Sequence, residues 1–237
     1  MRVLVTRPEE EWLAMQARLK ALGHEAVPCP ILSIVPLEGA TADLDGVQAV
    51  VVTSRAGVRV LAEIHPERAV PLLAVGDATA SLARDLGYGE VVSAGGETGA
   101  LLDLAARTLD PGAGPVLVAG GQTVSVDVAG QLEMAGLKVR RAVLYEARPA
   151  AGLSEAARRA LTAGELDAVA FFSPRSVATF VTLVNEAGLH TACTSLEAIC
   201  LSPNVVSAAG AVPWRRVRVA PSPDTASLLG LLGPAND

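Results

Sequence analysis

Short runs rich in Val, Leu, Ile and Ala recur along the chain, separated by longer stretches of mixed polarity. They fall at Arg2–Thr6, Ala49–Thr53, Pro71–Val75, Val91–Ser93, Val116–Ala119, Ala168–Phe172, Ala198–Leu201 and Val217–Ala220. Uninterrupted runs of four to six lack the apolar-polar alternation of a half-exposed strand and predict strands covered on both faces, as in a parallel sheet. Between the first runs, Trp12, Leu13, Met15, Leu19 and Leu22 have the spacing of an apolar helix face. Strand and helix alternating in this way predict a doubly wound α/β fold.

The pattern is also repeated internally. VVVTSRAGVRVL aligns with VAFFSPRSVATF when Ser54 meets Ser173, an offset of 119 that also pairs Val58 with Val177. LLAVGDATASLA aligns with AICLSPNVVSAA at Gly76 and Ser202, an offset of 126, and Glu97–Leu102 aligns with Asp224–Leu229 at 127. A fourth pair, RVLVTRP…ALGHEAV with PVLVAGG…MAGLKV, sets Val5 against Val118 and Gly23 against Gly136 at 113. This last unit comes first in the chain for one copy and last for the other. The simplest wiring joins residues 1–31 and 153–237 as one discontinuous lobe and makes 39–145 the other. Residues 32–38 and 146–152 then link them, both extended in character and interrupted by prolines. Two such crossings permit hinge bending, and the expected working site is the cleft between the copies.

Composition narrows the function classes. The 237 residues are 51% apolar and 3% aromatic, which suits helices packed on a Val-rich sheet. No apolar run reaches the roughly 18 residues of a membrane span, and the opening MRVLVTRPEEEW turns acidic where a signal peptide stays apolar, so a cytoplasmic protein is expected. A formal charge of -6 argues against nucleic acid as partner, the compact basic clusters being Arg140-Arg141 and Arg215-Arg216-Arg218. Cys29, Cys193 and Cys200 lack metal or redox spacing and read as buried free thiols. Nothing suggests a coiled coil, so a monomer is expected.

Ligands of open parallel sheets collect beyond the carboxyl ends of the strands, where helix N-termini present unpaired N–H groups. The turns at those ends are short and rich in small or hydroxylic residues. They include Thr6-Arg7-Pro8, Thr53-Ser54-Arg55-Ala56-Gly57, Gly76-Asp77-Ala78-Thr79, Gly120-Gly121-Gln122-Thr123, Ser173-Pro174-Arg175-Ser176 and Ser202-Pro203-Asn204. Many amides and a few arginines describe a cradle for an anion. Each Ser or Thr is also a natural N-cap, but Ser54 and Ser173 close apolar strands at matching places in both copies. Phosphate-loop, dinucleotide, zinc-protease and hydrolase motifs are all missing, and His24, His65 and His190 are scattered without ligand spacing, so metal catalysis is not expected. His24 reads as a surface residue in a helix-to-strand turn. Tyr145, in VLYEARP on the second crossing, either faces the cleft with its phenol or packs as a hinge residue; Tyr88 has no special role.

The ordered set VLVTRP, VVVTSRAGV, AVGDATASLARDLG, GETGALL, VLYEARP, FFSPRSV and LSPNVVSAA resembles the uroporphyrinogen-III synthase family over nearly the whole chain. The resemblance implies two flavodoxin-like lobes joined by a two-stranded linker and a cofactor-free lyase that closes hydroxymethylbilane, a small molecule with eight carboxylates, while inverting ring D. It implies Tyr145 as the residue assisting departure of the hydroxyl, and Thr53, Ser54, Gly76, Thr79, Ser173 and Ser202 as positions near substrate. Arg7, Arg55 and Arg175 stand beside them as carboxylate partners, with Ser176 and Asn204 in the same turns. Val205 departs from the family's commoner Gly-x-Thr-Thr pattern, so that turn would bind through backbone N–H groups. Two other readings compete: a non-catalytic two-lobed binding protein or sensor for a small anion, and a nucleotide-dependent transferase, the latter without its glycine fingerprint.

Overall fold

The computed structural model describes residues 1–124, 126–210 and 212–234. The chain divides into two compact units, Met1–Ser33 with Arg148–Asp237, and Ile34–Ala147. It starts in the first unit with β1 (Arg2–Val5), a 3-10 turn at Glu9–Glu11, α1 (Trp12–Ala21) and β2 (Glu25–Pro28). Strand β3 (Leu32–Pro36) leads into the second unit. There follow β4 (Ala49–Val52), α2 (Arg55–Ile64), β5 (Leu72–Ala74), α3 (Asp77–Asp85), β6 (Val91–Ser93), α4 (Thr98–Thr108), β7 (Val116–Gly121) and α5 (Val128–Met134). The long strand β8 (Val139–Pro149) leads back. The first unit is completed by α6 (Glu155–Ala163), β9 (Ala168–Phe171), α7 (Pro174–Glu186), a 3-10 helix at His190–Ser195, β10 (Glu197–Cys200), α8 (Pro203–Ala209), β11 (Arg216–Val219) and α9 (Thr225–Gly230).

The first unit holds a sheet of order β11-β10-β9-β1-β2 with every pair parallel. The second holds β3-β8-β7-β4-β5-β6, in which β8 through β6 are parallel. Matched by the repeat offsets, β2, β1, β9, β10 and β11 correspond to β8, β7, β4, β5 and β6, so both sheets have one spatial order. This is the doubly wound 2-1-3-4-5 order of flavodoxin-like folds, entered at different strands. Leu37 N–H donates to Leu144 O and Ala150 N–H to Ile31 O, both at 2.9 Å, which steps in opposite directions along β3 and β8. The two passages of chain therefore form an antiparallel ladder, and residues 146–149 of the stretch expected as a second linker are the end of β8.

The central apolar runs form strands because both faces of each find a core, whereas the edge strands β6 and β11 depart from that expectation and leave Val92, Val217 and Val219 exposed. Within β4, Val50 and Val52 face one apolar cluster and Val51 the other. Within β9, Val169 and Phe171 face one and Ala168 and Ala170 the other. Residues 37–48 of the second unit form no helix where the first has α6, and Ala42, Leu44 and Val47 cover that face instead. On α1, Met15 and Leu19 are buried one turn apart, but Leu13 is 76% exposed, because it lies well off their stripe.

His24 is a correction to the sequence reading: it is 4% exposed, with Nε2 2.8 Å from Gly233 O and Nδ1 3.4 Å from the Met1 nitrogen. Its ring joins a helix-to-strand turn to the end of α9, a contact 209 residues apart in sequence that no local pattern encodes.

Tyr88 is also buried, and among the described residues its hydroxyl has no hydrogen-bond partner. The Arg68 guanidinium lies 4.9 Å from the ring centroid and is tied to the carbonyls of Ala62 and Leu86. Burial pushes the phenol's pKa up, with the Arg68 charge opposing. Tyr88→Phe keeps the ring and its cation contact while removing a desolvated donor. It is expected to stabilise the fold by about 1 kcal/mol, raising the melting temperature by roughly 2–4 °C in a thermal melt.

The thiols of Cys29, Cys193 and Cys200 are free and buried. Burial pushes each up to about 11, offset in part at Cys29 by hydrogen bonds from Ser154. An unfolded thiol ionises near 8.5, so the stabilisation from keeping these thiols neutral is whole below that pH and is lost as pH rises through 11. Iodoacetamide at pH 8 is therefore expected to spare all three until the chain is unfolded, and urea midpoints should fall between about pH 8.5 and 11. Rapid native alkylation, read by mass spectrometry, would contradict this burial.

Candidate active site

In a sheet of this order the strand sequence reverses beside the first strand of the 2-1-3-4-5 set, and loops at that point diverge to leave a crevice. In the second unit the reversal lies between β7 and β4. Strand β4, wholly buried, delivers Thr53 and Ser54 to the surface at its carboxyl end. Ser54 is extended (φ -148°) and caps α2, its Oγ accepting from Gly57 N–H at 3.0 Å. Its hydroxyl also lies 2.9 Å from the hydroxyl of Tyr145 on β8. Arg55 follows in the first turn of α2 and is half-buried.

A bulge gives Tyr145 its direction. The register of β7 and β8 pairs Gly120 with Val143 but Gly121 with Tyr145, which leaves Leu144 as an extra residue. Up to that point β8 alternates, with Ala142 buried in the α2 and α3 core and Arg141 and Val143 exposed. The extra residue breaks the alternation, so Leu144 and Tyr145 both meet the same core. Without it Tyr145 would turn to the opposite face, away from Ser54. Gly121 leaves the room the ring needs: a Cβ there would stand 2.8 Å from two ring carbons of Tyr145. The Tyr145 carbonyl accepts from Gln122 N–H at 2.8 Å, which pins the strand beside the ring.

Gly76 caps α3 through its backbone, and Thr79, one turn on, is 7% exposed. A cavity of about 120 Å³ opens between the ends of β7 and β8 and the start of α5, bounded by Thr53, Gly121 and Val143 among others. A larger one, about 410 Å³, follows the outer edge of β2 against α6 and contains none of the candidate residues.

In the first unit the matching reversal lies between β1 and β9. The hydroxyl of buried Thr6 donates to Ala170 O at 2.7 Å and clamps the two strand ends together. Arg7 pairs with Glu11 at 2.9 Å and lies 3.9 Å over the Phe172 ring. Ser173 and Ser176 form a reciprocal cap on α7: Ser176 N–H donates to Ser173 Oγ and Ser173 N–H to Ser176 Oγ, both at 3.1 Å. The Ser176 side chain is buried and committed to that cap, whereas Arg175 is half-buried. Ser202 precedes α8 with no side-chain cap bond, Asn204 is exposed and Val205 is buried.

The candidates thus gather at the carboxyl ends of strands in each unit. Thr53, Ser54, Arg55, Gly76 and Tyr145 lie at those ends of the second unit. Arg7, Ser173, Arg175, Ser202 and Asn204 lie at those of the first. Thr79 and Ser176 lie in the same turns but are buried. The two copies are not equivalent: the offset of 113 sets Tyr145 against Leu32, and the offset of 119 sets Gly57 against Ser176. Gly121 and the bulge were missed from the sequence, where Gly120-Gly121 signalled only a turn. The basic clusters are internally paired, Arg140 with Asp43 at 2.9 Å, Arg141 with Asp127 at 3.0 Å, and Arg215 and Arg218 with Glu197 at 3.5 and 3.6 Å. Among the described residues no group of three or more His, Cys, Asp or Glu is disposed to hold a metal ion.

Solved structures share this fold. A uroporphyrinogen III synthase from Helicobacter pylori is 14% identical, with 98% of each chain covered and a TM-score of 0.64. A mutant uroporphyrinogen III synthase from the extremely thermophilic bacterium Thermus thermophilus is 21% identical, with 98% of this chain and 96% of that chain covered and a TM-score of 0.57. At such identities the likeness establishes the two-sheet α/β fold. No curated protein sequence matches. The family model described as uroporphyrinogen-III synthase HemD matches residues 14–230, all but the two ends of the chain. On that match the chain belongs to the uroporphyrinogen-III synthase family, lyases of tetrapyrrole biosynthesis.

Proposed function

We propose that in the cyclisation of hydroxymethylbilane to uroporphyrinogen III, Tyr145 assists the loss of the terminal hydroxyl. The observation that carries this reading is the phenol of Tyr145, half-buried at a strand-order reversal and 2.9 Å from the capping hydroxyl of α2. As the carbon–oxygen bond breaks, the pyrrole nitrogen supplies the electron pair and the phenol supplies the proton, so the group leaves as water. The azafulvenium-like carbon is attacked by the substituted carbon of the last pyrrole, and the spiro intermediate opens and recloses with ring D inverted. The proton lost from carbon at the final closure restores the phenol. Atoms balance as bilane giving macrocycle plus one water, with no oxidant or cofactor.

Thr53, Arg55 and Gly76 of the second unit, and Arg7, Ser173, Arg175, Ser202 and Asn204 of the first, are the proposed contacts for the eight carboxylates. Helix N-termini and guanidinium groups favour anions by oriented N–H donors. Holding the linear chain so that one closure is fast and the other excluded accounts for most of the rate, and the phenol adds to it. Among the described residues no helix is long and apolar enough to cross a membrane. A monomer acting in the cytoplasm without nucleic acid is the accompanying proposal, checked by sedimentation at micromolar concentration. The function is tested by incubating the chain with freshly generated hydroxymethylbilane, oxidising the products and separating the porphyrin isomers. Type III is the expected product; type I alone, the isomer that forms without enzyme, would overturn the assignment.

A further inference from the structure

We infer that Ser54 is a positioning residue for Tyr145: its hydroxyl donates to the phenol oxygen and so leaves the phenol's own proton as the one presented to the leaving group. The inference rests on the reading of Tyr145 above, and the duplicated fold supplies its argument.

A serine hydroxyl has one proton to give and two lone pairs to receive. In the first unit, Ser176 spends its proton on Ser173 O at 2.7 Å. The Ser173 proton therefore points to Ser176 Oγ, 3.2 Å away, and the cap is closed on itself. In the second unit the residue matching Ser176 is Gly57, which has no side-chain oxygen to accept. Ser54 Oγ still receives the Gly57 N–H at 3.0 Å, but the partner within reach of its own proton is Tyr145 Oη at 2.9 Å. A hydroxyl that already accepts a hydrogen bond is a stronger donor, and here the bond it accepts comes from the first turn of a ten-residue helix. The chain of donors thus runs outward, from Gly57 N–H through Ser54 to Tyr145.

Position 57 resists a side chain for a second reason: a Cβ there would lie 3.3 Å from Ala119 O and 3.4 Å from Ser54 Oγ. Close packing of α2 on β7 and an open cap are served by one glycine. Leu32, opposite the closed cap of the first unit by the same matching, has no hydroxyl to align. The asymmetry in both positions separates the unit with a phenol from the one without.

The test is a cycle of Ser54→Ala and Ser54→Thr, each made in the parent chain and in Tyr145→Phe, with kcat and KM for hydroxymethylbilane measured on all. In parallel, fluorine spectra of chains labelled with 3-fluorotyrosine report the two tyrosines, Tyr88→Phe identifying the Tyr145 resonance. Ser54→Ala is expected to lower kcat about 10-fold with KM nearly unchanged and to move the Tyr145 resonance, the order of loss expected when a reacting group is misaimed. In the Tyr145→Phe background the same change should alter kcat by less than about two-fold, and Ser54→Thr should restore activity in the parent. An equal loss in both backgrounds would show Ser54 acting on substrate directly and overturn the inference, as would an unmoved resonance with unchanged kcat. Full turnover by Tyr145→Phe alone overturns the reading of Tyr145 instead, and the fluorine spectra, which need no substrate, then decide whether Ser54 holds the phenol.

Discussion

Tyr145→Phe is expected to lower kcat for hydroxymethylbilane about 100-fold, the lower end of what a positioned proton donor contributes. The phenylalanine ring keeps the recess left by Gly121 and the apolar contact with the α2 and α3 core, so substrate binding and fold are largely retained. What is lost is the hydroxyl that meets Ser54. KM should therefore change little, which is the signature of an interaction made chiefly in the transition state. Slower turnover also leaves more bilane to close unaided, so the type I fraction should rise as enzyme is diluted. A kcat within two-fold of the parent would remove Tyr145 from the reaction. Gly121→Ala should approach the same result while leaving the phenol in the sequence, since a Cβ 2.8 Å from the ring expels it from the recess. Its melting temperature should fall more than that of Tyr145→Phe, because the displaced ring loses packing as well as its hydrogen bond.

Gly114→Ala is expected to destabilise the chain by at least about 3 kcal/mol, a drop of roughly 6–12 °C in melting temperature for a chain of this size. A Cβ at Gly114 would lie 1.8 Å from Gly46 O and 3.0 Å from Gly46 C, and both are backbone atoms with no rotamer to yield. These two loops enter the central strands β4 and β7. Gln48 staples them: its N–H donates to Pro115 O at 3.0 Å, its side chain donates to Asp110 O at 2.9 Å, and its Oε1 accepts from Asp110 N–H at 3.0 Å. Moving the loops apart to admit a methyl group loses these bonds together. Gly99→Ala is the matched control, since a Cβ there, in the exposed first turn of α4, meets nothing within 4 Å, and the change should leave stability equal or slightly raised. Thermal melts of both variants separate the steric cost at Gly114 from any general effect of replacing glycine.

The positions of the central strands were legible because a run such as Ala49–Val52 or Ala168–Phe171 has no polar face to turn to water. That the two sheets share one order agrees with the repeated units, since equivalent segments find equivalent neighbours, but the order itself is seen only in the strand pairing. Less was legible where strands are short or mixed. Strands β2 and β3 contain Glu, Ser and Pro among their apolar residues, and β3 pairs with β8, a strand supplied by a distant part of the chain. Leu13 counted toward a helical face in one dimension and lies outside it in three. His24 and Tyr88 looked like turn residues because both follow a helix-ending glycine pattern, yet the ends of α9 and the Arg68 loop cover them.

By itself the sequence determined the class of fold, the duplication of one module and the set of turns at the strand ends, because apolar periodicity and a duplicated pattern are properties of the chain. Only the tertiary structure decided what those turns do. The side chain of Tyr145 reaches Ser54 because one extra residue in β8 shifts its register on β7, and register belongs to the packed pair of strands, not to either strand read alone. Whether a capping serine closes on itself or reaches a phenol depends on Gly57 and Ser176, two positions that become comparable only when the copies are laid on one another.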